Sequence, residues 1–351
     1  MGDRMKGIAR LASELGISTG TVSRALNGKP DVNAITRDRV LQAAQRMGYA
    51  ANASARNLAK GATNSIGFMI ELNPEAASNS DNFFMGVFDG VQSVLRLHKL
   101  ELLVLPCPTD DDPYYYLERF VARETVDAMI ISATQRVDPR IDLLQSRGIP
   151  FVSLGRSSSG RNYSWIDLDF EGVVNQSIDR FVAHGHRRIA VTIPRNNINF
   201  GELFHAAYRS ALARHGLPYD PSLVIGTAWS EDGGYELGGS IVAIPNPPTA
   251  VLLIYEMMAL GLYRRLAELG VKPGRDIAVI AFRDEPAARL LHPSVTCFTM
   301  SLHDLGAAVA EAVLAQLSER DANSAAPIVQ LRWPMALTPR ESDDFVITNQ
   351  G

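Results

Sequence analysis

The chain has 351 residues, of which 46% are hydrophobic and 21% are charged, as in a protein with a large buried core. At roughly 150 residues per domain, this length predicts two or three folding units. No apolar run approaches the roughly 18 residues that a membrane span requires, and no apolar stretch follows the charged N-terminus as in a secretory signal. Two cysteines, Cys107 and Cys297, are too few for a disulfide framework or a zinc cluster. We therefore expect a reduced, cytoplasmic protein.

The formal net charge of −4 conceals an uneven distribution along the chain. Residues 1–63 contain ten basic and four acidic residues, a charge of +6. Residues 64–351 contain the other 24 basic and 34 acidic residues, a charge of −10. A basic segment on an acidic body predicts contact with a polyanion such as DNA, although a solvated basic face would have the same composition.

Three short helices are predicted in the basic segment. A first helix is indicated by apolar residues at i, i+3, i+4 and i+7, which are Ile8, Leu11, Ala12 and Leu15. Gly16 is expected to end this helix. Ser18 is expected to cap a second helix, 19–26, with its oxygen on the amide of Thr21. A third helix from about 36 to 47 is expected to bury Val40, Leu41, Ala44 and Met47.

Two short helices around a glycine-containing turn, with a third packed across them, follow the helix–turn–helix plan, in which the second helix enters the major groove. Its outward residues here are Thr19, Gly20, Ser23 and Arg24. Arginine can donate two hydrogen bonds to guanine, whereas the small hydroxyls of Thr21 and Ser23 suit phosphates. A three-helix module that docks onto another protein is the alternative.

Residues 16–28, which read GISTGTVSRALNG, closely resemble the head of the lactose-repressor (LacI/GalR) family, as do Val32, Thr36-Arg37, Val40 and Gly48-Tyr49. The resemblance implies that Thr19, Gly20 and Arg24 read bases. It also implies that phosphates are contacted by Thr21, Ser23, Asn27, Tyr49 and Asn52. Because Gly20 has no side chain, most discrimination by this helix is expected from Arg24 and Thr19.

Residues 52–61 resemble the hinge helix of the same family, which pairs with its dimer mate in the minor groove. Leu58 occupies the position of the leucine that wedges into a central base step, and Ala55 and Ala59 are small enough for two helices to touch. Such a wedge unstacks bases at a cost that contacts to the bent DNA offset. A flexible linker is the alternative.

From residue 64 onward, apolar runs alternate with amphipathic stretches in two series. Strands are expected near 65–70, 100–106, 126–132 and 150–154, and then, after 165–169, near 188–193, 223–226, 250–254 and 276–281, with helices between them. Buried apolar runs separated by helices predict two α/β lobes with parallel sheets. Ligands of such sheets bind beyond the carboxyl ends of the strands, here in a cleft between the lobes.

The resemblance extends over this body and implies a small all-α head on a periplasmic-binding-protein-like core of two doubly wound lobes joined by three crossovers. The implied domains are a head, 1–51, a hinge and linker, 52–63, and a core, 64–345. Within the core, lobe 1 is expected at about 64–164 and 298–326, and lobe 2 at about 165–297 and 327–345. The implied partners are a second copy of the chain, near-palindromic double-stranded DNA and a small effector, with neither cofactor nor metal.

The resemblance also places candidate effector contacts around the cleft: Phe83, Phe84, Arg156, Trp165, Asp169, Asn175, Tyr208, Tyr255, Arg283, Met300 and Leu302. A stacking aromatic ring, carboxylates and a forked guanidinium suit a sugar. The chain departs from the family where Tyr255-Glu256 replaces Asn-Asp, where Arg283 replaces Asp and where Phe204 replaces Arg. These departures predict an unusual ligand, for example an anionic one, or a weakened site.

The remaining features favour no other chemistry. No phosphate-binding glycine loop, dinucleotide fingerprint or nucleophile elbow occurs, so an α/β enzyme is not indicated. His184-Gly-His186 is interpreted as a turn before a strand, and Trp229 and Trp333 as packing residues. The sequence thus favours a transcription repressor of carbohydrate uptake or catabolism genes. The alternative is a cytoplasmic sugar-binding protein without DNA function. The sequence leaves open whether the effector weakens or strengthens DNA binding, and whether the protein is a dimer or a tetramer.

Overall fold

The computed structural model describes residues 7–26, 29–47, 63–72, 83–160, 162–322 and 327–346. The chain divides into two compact units, the head at 1–63 and the core at 64–351. Among the described residues, no helix is both long and apolar enough to cross a membrane.

The head contains three helices, α1 (Ile8–Leu15), α2 (Thr19–Leu26) and α3 (Ala34–Arg46). Gly16 ends α1 in the left-handed conformation, with φ 65°, as predicted. The Oγ of Ser18 accepts a hydrogen bond from the backbone N–H of Thr21 at 3.1 Å, which confirms the predicted cap of α2.

The core of the head is formed by one apolar stripe from each helix, and Leu11, Val22 and Val40 are fully buried in it. The prediction that Leu41 is buried is wrong, because 47% of its surface is exposed, and Ala43 is buried instead. Consecutive residues of a helix point about 100° apart, so Leu41 leaves the stripe that Val40 begins.

The core unit contains two parallel sheets with helices packed on both faces. Its strands are β1 (Ser65–Glu71), β2 (Glu101–Cys107), β3 (Ala128–Ile131), β4 (Phe151–Leu154), β5 (Ser164–Leu168), β6 (Ile189–Pro194), β7 (Val224–Thr227), β8 (Ala250–Leu253), β9 (Ala278–Ala281), β10 (Cys297–Thr299), β11 (Gln330–Trp333) and β12 (Ala336–Thr338). Its helices are α4 (Phe83–Leu95), α5 (Pro113–Val121), α6 (Pro139–Ser146), α7 (Phe170–Ala183), α8 (Asn199–Arg214), α9 (Glu231–Ala243), α10 (Met258–Glu268), α11 (Pro286–Leu290) and α12 (Leu302–Ala322).

Lobe 1 is built on a six-stranded sheet with the order β11-β5-β4-β3-β1-β2. Alternate residues of its strands face opposite layers: Phe68 and Ile130, paired in register, belong to one apolar cluster, while Met69 and Ile131 belong to another. Helices therefore bury both faces of this sheet, as the near-continuous apolar strands predicted.

Lobe 2 is built on a four-stranded parallel sheet with the order β7-β6-β8-β9. The short antiparallel pair β10-β12 forms a separate sheet. Two candidate effector residues follow the carboxyl ends of parallel strands, Arg156 after β4 and Arg283 after β9.

The lobe boundaries differ from those expected. The division at 164/165 falls within β5, and β5 pairs with β4 and β11 in the sheet of lobe 1. The expected assignment of 165–168 and 330–333 to lobe 2 is therefore wrong, because these residues belong to strands of the lobe 1 sheet. Which sheet a strand joins is decided by the path of the crossovers in space, and the apolar pattern of the strand does not encode it.

Helix α12 returns to lobe 1 and packs directly on α4. A Cβ atom at Gly90 would overlap the carbonyl of His303, and one at Gly306 would overlap the carbonyl of Val87. Reciprocal glycines thus let the two helix backbones approach closely, and this contact holds the C-terminal part of the chain against lobe 1.

Candidate functional site

Helix α2 has one buried and one exposed face. Val22 and Ala25 pack into the head, while Thr19, Gly20 and Arg24 are exposed. Among the described residues, only the Oγ of Ser18, at 3.7 Å, lies near the position of a Cβ at Gly20, so they leave this part of the helix surface open. A helix with such an exposed polar face and an arginine on it can contact base edges in a DNA groove.

The remaining predicted DNA contacts divide into two groups. Thr21 and Ser23 lie on α2, half-buried, and the hydroxyls of Thr21 and Ser18 are 2.9 Å apart. The other residues lie outside the described part of the chain: Asn27, Tyr49, Asn52, Ala55 and Leu58. Their predicted roles therefore continue to rest on the sequence.

On the lobe 1 side of the cleft, Arg156 lies at the centre of a charged cluster. Its Nε is 3.1 Å from Oδ2 of Asp167, and its Nη2 donates to the carboxylate of Glu171. The guanidinium carbon lies 5.6 Å from the centroid of the Trp165 ring. The structure thus brings together two predicted residues, Arg156 and Trp165, with two carboxylates that compensate the positive charge.

Asp167 is almost completely buried in this cluster. Burial raises the pKa of its carboxyl group to about 7, although the guanidinium of Arg156 acts in the opposite direction. Glu171, in the first turn of α7, was not among the predicted residues.

Asp169 and Asn175 have local roles in the structure. Asp169 caps α7, because its Oδ1 accepts a hydrogen bond from the backbone N–H of Gly172 at 3.1 Å. Asn175 accepts a hydrogen bond from Arg214 at 2.8 Å, in the contact between α7 and α8.

Tyr208 does not face the cleft. Its side chain is fully buried, and its hydroxyl donates to the carbonyl of Ile189 at 2.7 Å. Ile189 begins β6, so this hydroxyl lies at the amino end of a strand, whereas the cleft lies at the carboxyl ends. The predicted effector contact at Tyr208 is therefore wrong, and Tyr208 belongs to the core of lobe 2.

On the lobe 2 side, Arg283 and Glu256 form a buried ion pair. Nη2 of Arg283 is 2.7 Å from Oε1 of Glu256, and Oε1 of Glu285 is 3.6 Å away. The guanidinium carbon of Arg283 lies 4.9 Å from the ring centroid of Phe83, which begins α4 of lobe 1. Phe84 packs beside Phe83, with the ring centroids 5.2 Å apart. Arg283 thus connects the two lobes.

A cavity of about 100 Å³ adjoins this pair. It is lined by Arg283, Asp284, Glu285, Arg289, Phe298, Thr299, Met300 and Leu302. Three predicted residues, Arg283, Met300 and Leu302, therefore share one cavity. Its volume is below the roughly 300–1,000 Å³ typical of ligand sites, so a sugar requires this region to open further.

A group of aromatic side chains packs together in lobe 2. Phe170 is stacked between Phe200, at 5.1 Å, and Phe282, at 5.0 Å, and the Trp229 ring lies 5.1 Å from Phe200. Phe204 is buried with an edge on Phe282. The aromatic row was missed in the sequence because its members are far apart and each is typical of a core. Tyr255, half-buried after β8, packs against the same apolar cluster.

The two lobes also touch directly at the mouth of the cleft. The side-chain amide of Asn199, at the start of α8, donates to the carbonyl of Arg156 at 2.6 Å. The backbone N–H of Asn199 donates to the carbonyl of Thr134 at 2.9 Å, and Gln135 and Ile198 form an isolated antiparallel bridge. These contacts hold a loop of lobe 1 against a helix of lobe 2.

A second buried charge cluster lies at the carboxyl ends of β1 and β3. The guanidinium of Arg140 donates to both oxygens of Asp138, to Oε1 of Glu71 at 2.7 Å and to the carbonyls of Ser132 and Ala133. Burial raises the pKa of Glu71. All three guanidinium nitrogens donate hydrogen bonds, so this cluster fixes the carboxyl ends of β1 and β3.

The histidine pair before β6 makes ordinary side-chain contacts. Nδ1 of His184 lies 2.7 Å from the carbonyl oxygen of Asp343, and Nδ1 of His186 lies 2.9 Å from the hydroxyl of Thr249. Within the described ranges, no three His, Cys, Asp or Glu side chains are grouped as a metal site would need.

Comparison with known proteins gives two family matches. Residues 4–52 match bacterial regulatory proteins of the lacI family, and residues 178–342 match a periplasmic binding protein-like domain. The HTH-type transcriptional regulator AglR of Rhizobium meliloti (strain 1021) is 34% identical over 88% of this chain and 86% of its own length. The regulator RafR of Escherichia coli is 32% identical over 84% of this chain and 87% of its own length.

Solved structures share the fold. The lac repressor dimer bound to operator and the anti-inducer ONPF superposes with a TM-score of 0.80 at 22% identity, over 95% of this chain and 97% of that one. The complex of the transcriptional regulator CelR with cellobiose superposes with a TM-score of 0.71 at 24% identity, over 96% of this chain and 100% of that one.

Proposed function

Because the chain belongs to the LacI family of bacterial transcriptional regulators, we propose that it represses its target genes by binding a near-palindromic operator as a homodimer. A small sugar-like effector in the cleft sets the operator affinity. The observation that carries this proposal is the open face of α2, which presents Thr19 and Arg24 from a segment of charge +6. The same chain also contains a two-lobed core with polar and aromatic side chains at the strand ends.

On the DNA, the basic head supplies affinity through phosphates, and α2 supplies discrimination. Arg24 reads a guanine in each half-site, since its guanidinium can donate two hydrogen bonds to O6 and N7. Thr21 and Ser23 contact phosphates, which set the register. By resemblance, Leu58 wedges into the central base step of the operator.

Apolar surface on lobe 1 supports the homodimer. Large apolar side chains are exposed on α4, on the turn after it and on the edge strand β2: Met85, Leu97, Leu103 and Val104. A monomer gains nothing by keeping such residues in water, whereas a second copy of the same surface would bury them. Two joined heads then read two half-sites.

The side chains around the cleft support a carbohydrate as the effector. Arg156, Asp167 and Glu171 provide charged donors and acceptors for hydroxyl groups. Trp165 provides a ring face for the apolar side of a sugar. CelR, which shares the fold, was solved with cellobiose. The buried pair Arg283–Glu256 replaces the polar residues usual in the family, so specificity in lobe 2 differs from that of the common sugars.

The effector acts through the lobe contacts. A ligand shifts the operator affinity only as far as it binds one arrangement of the lobes better than the other. The contacts of Asn199 with Arg156 and Thr134 belong to one such arrangement. An effector that engages Arg156 therefore changes the same loop.

Selection of duplexes from a random DNA pool by the full-length protein tests this function. We expect a short near-palindromic sequence whose binding weakens steeply as salt rises, because several Lys and Arg side chains displace counterions. A panel of sugars and sugar acids, added to the selected complex, should contain compounds that change its affinity. Enrichment of no sequence, or binding that is independent of salt, would overturn the proposal and favour a sugar-binding protein without DNA function.

A further inference from the structure

Arg24 makes an ion pair within the head. Its Nε is 3.5 Å from Oδ2 of Asp31, which lies in the turn between α2 and α3. The two side chains are 54% and 60% exposed. Such an exposed pair contributes little to folding stability, because water screens it and two side chains lose freedom in forming it.

The turn that carries Asp31 is held firmly in place. Nη2 of Arg37, on α3, donates to the carbonyl of Lys29 at 2.8 Å and to that of Val32 at 3.3 Å. The side chain of Val32 is buried in the core of the head. The backbone N–H of Lys29 donates to the carbonyl of Arg24 at 3.1 Å. The chain on both sides of Asp31 is thus fixed to α2 and α3.

We propose that Asp31 is a positioning residue that orients Arg24 for reading a guanine. The guanidinium has one donor on Nε and two on each terminal nitrogen. A carboxylate beside Nε leaves both terminal nitrogens for O6 and N7 of guanine, and it reduces the number of rotamers that Arg24 must lose on binding. This inference rests on the proposed function, in which Arg24 reads a base.

The charge of Asp31 distinguishes this role from a general contribution to binding. A carboxylate in the head repels the phosphates of any DNA, so its removal raises affinity for non-specific DNA. If Asp31 positions Arg24, its removal also lowers the preference for the operator. The two effects have opposite signs, and a structural role alone does not produce both.

The test compares Asp31→Ala with Asp38→Ala in the full-length protein. Asp38 is exposed on α3 and carries the same charge, so its variant is the matched control. Affinities are measured for the selected operator and for a scrambled duplex, and thermal unfolding confirms that both variants fold. We expect Asp31→Ala to lower the ratio of the two affinities about two- to fivefold per half-site. We expect Asp38→Ala to raise both affinities and leave the ratio unchanged.

A double-mutant cycle with Arg24→Ala completes the test. Arg24→Ala should itself relax discrimination at one base pair per half-site, and adding Asp31→Ala should then change the ratio no further. A ratio that Asp31→Ala leaves unchanged, or lowers equally with and without Arg24, would overturn the positioning role. If Arg24→Ala retains full discrimination, base reading by Arg24 itself is wrong, which separates failure of the proposed function from failure of this inference.

Discussion

The guanidinium of Arg283 lies 2.7 Å from the carboxylate of Glu256, and both side chains are almost completely buried. Each is a departure from the family pattern, and together they compensate each other's charge. The two residues lie after neighbouring strands, β8 and β9, so the sheet brings them together although they are 27 positions apart. The charge at each of these positions is therefore compensated by the charge at the other.

Removal of one partner of this pair should destabilise the core. Glu256→Gln leaves a buried guanidinium without its main counter-charge, and we expect a loss of about 3 kcal/mol in the free energy of unfolding. Urea denaturation of the full-length protein measures it. The double variant Glu256→Leu with Arg283→Leu should recover most of the loss, because a buried pair is replaced by apolar side chains.

A matched control is Glu231→Gln, which removes the carboxylate of the exposed pair with Arg264. We expect this variant to change stability little. Equal effects of the two single substitutions would contradict the view that burial gives the Arg283–Glu256 pair its importance.

Asp167 should make stability depend on pH. Its pKa is about 7 in the folded protein and 3.8 as the ordinary value, because burial disfavours the charged carboxylate. Folding therefore takes up a proton between these values, and the stability that Asp167 contributes falls as pH rises from about 4 to about 7. Above pH 7 the contribution of Asp167 to stability no longer changes with pH.

Asp167→Asn, which cannot ionise, tests this dependence. We expect the stability of the variant relative to the natural protein to increase from pH 4 to pH 7 and then to stay constant. Denaturant unfolding at a series of pH values provides the measurement, with Asp110→Asn in an exposed loop as the control. A difference that is constant over this pH range would show that Asp167 is ionised throughout.

In the described part of the head, the end of α1 and the start of α2 could be predicted from the sequence. Gly16 and Ser18 determine the ends of α1 and α2 through local hydrogen bonds that need no distant partner. The third helix begins at Ala34, two residues before its predicted start, because Asn33 caps it by accepting from the N–H of Ile35 at 2.9 Å. Asparagine is a preferred N-cap residue, so the sequence itself contains the signal for this earlier start.

The candidate effector site could be predicted only in part. The resemblance directs attention to Arg156 and Arg283, which the structure places in charged clusters at strand ends. It could not identify Glu171 and Glu285 as ion-pair partners of these arginines, and it could not show that Tyr208 lies away from the cleft. Both depend on which face each helix presents to its neighbours in the assembled lobes. A period of 3.6 residues identifies a buried face but not the element that covers it.

Leu58→Ala should weaken binding to the operator more than binding to scrambled DNA. Removal of the wedge leaves the phosphate contacts in place, so the slope of affinity against salt should stay nearly constant while the specificity ratio falls. Electrophoretic or fluorescence titrations at several salt concentrations measure both quantities. Equal losses on the two duplexes would contradict a wedge at Leu58.

Asn199→Ala should loosen the contact between the lobes. The substitution removes the hydrogen bond from the side-chain amide to the carbonyl of Arg156, and the backbone N–H that donates to Thr134 then opens to solvent more often. Hydrogen–deuterium exchange of peptides that cover 195–203 and 132–137 should accelerate. A hydrogen bond of this kind is worth about 1 kcal/mol, so the expected acceleration is roughly fivefold.

Asn175→Ala is the control for this measurement, because Asn175 bonds to Arg214 within lobe 2. We expect its exchange to change only around α7 and α8. The effector should slow exchange across 132–137 and 195–203 if it favours the arrangement that Asn199 stabilises, and accelerate it if it favours separated lobes. Exchange at these segments that Asn199→Ala leaves unchanged would mean that the contact does not hold the lobes together, and the effector must then act through Arg283 and Phe83.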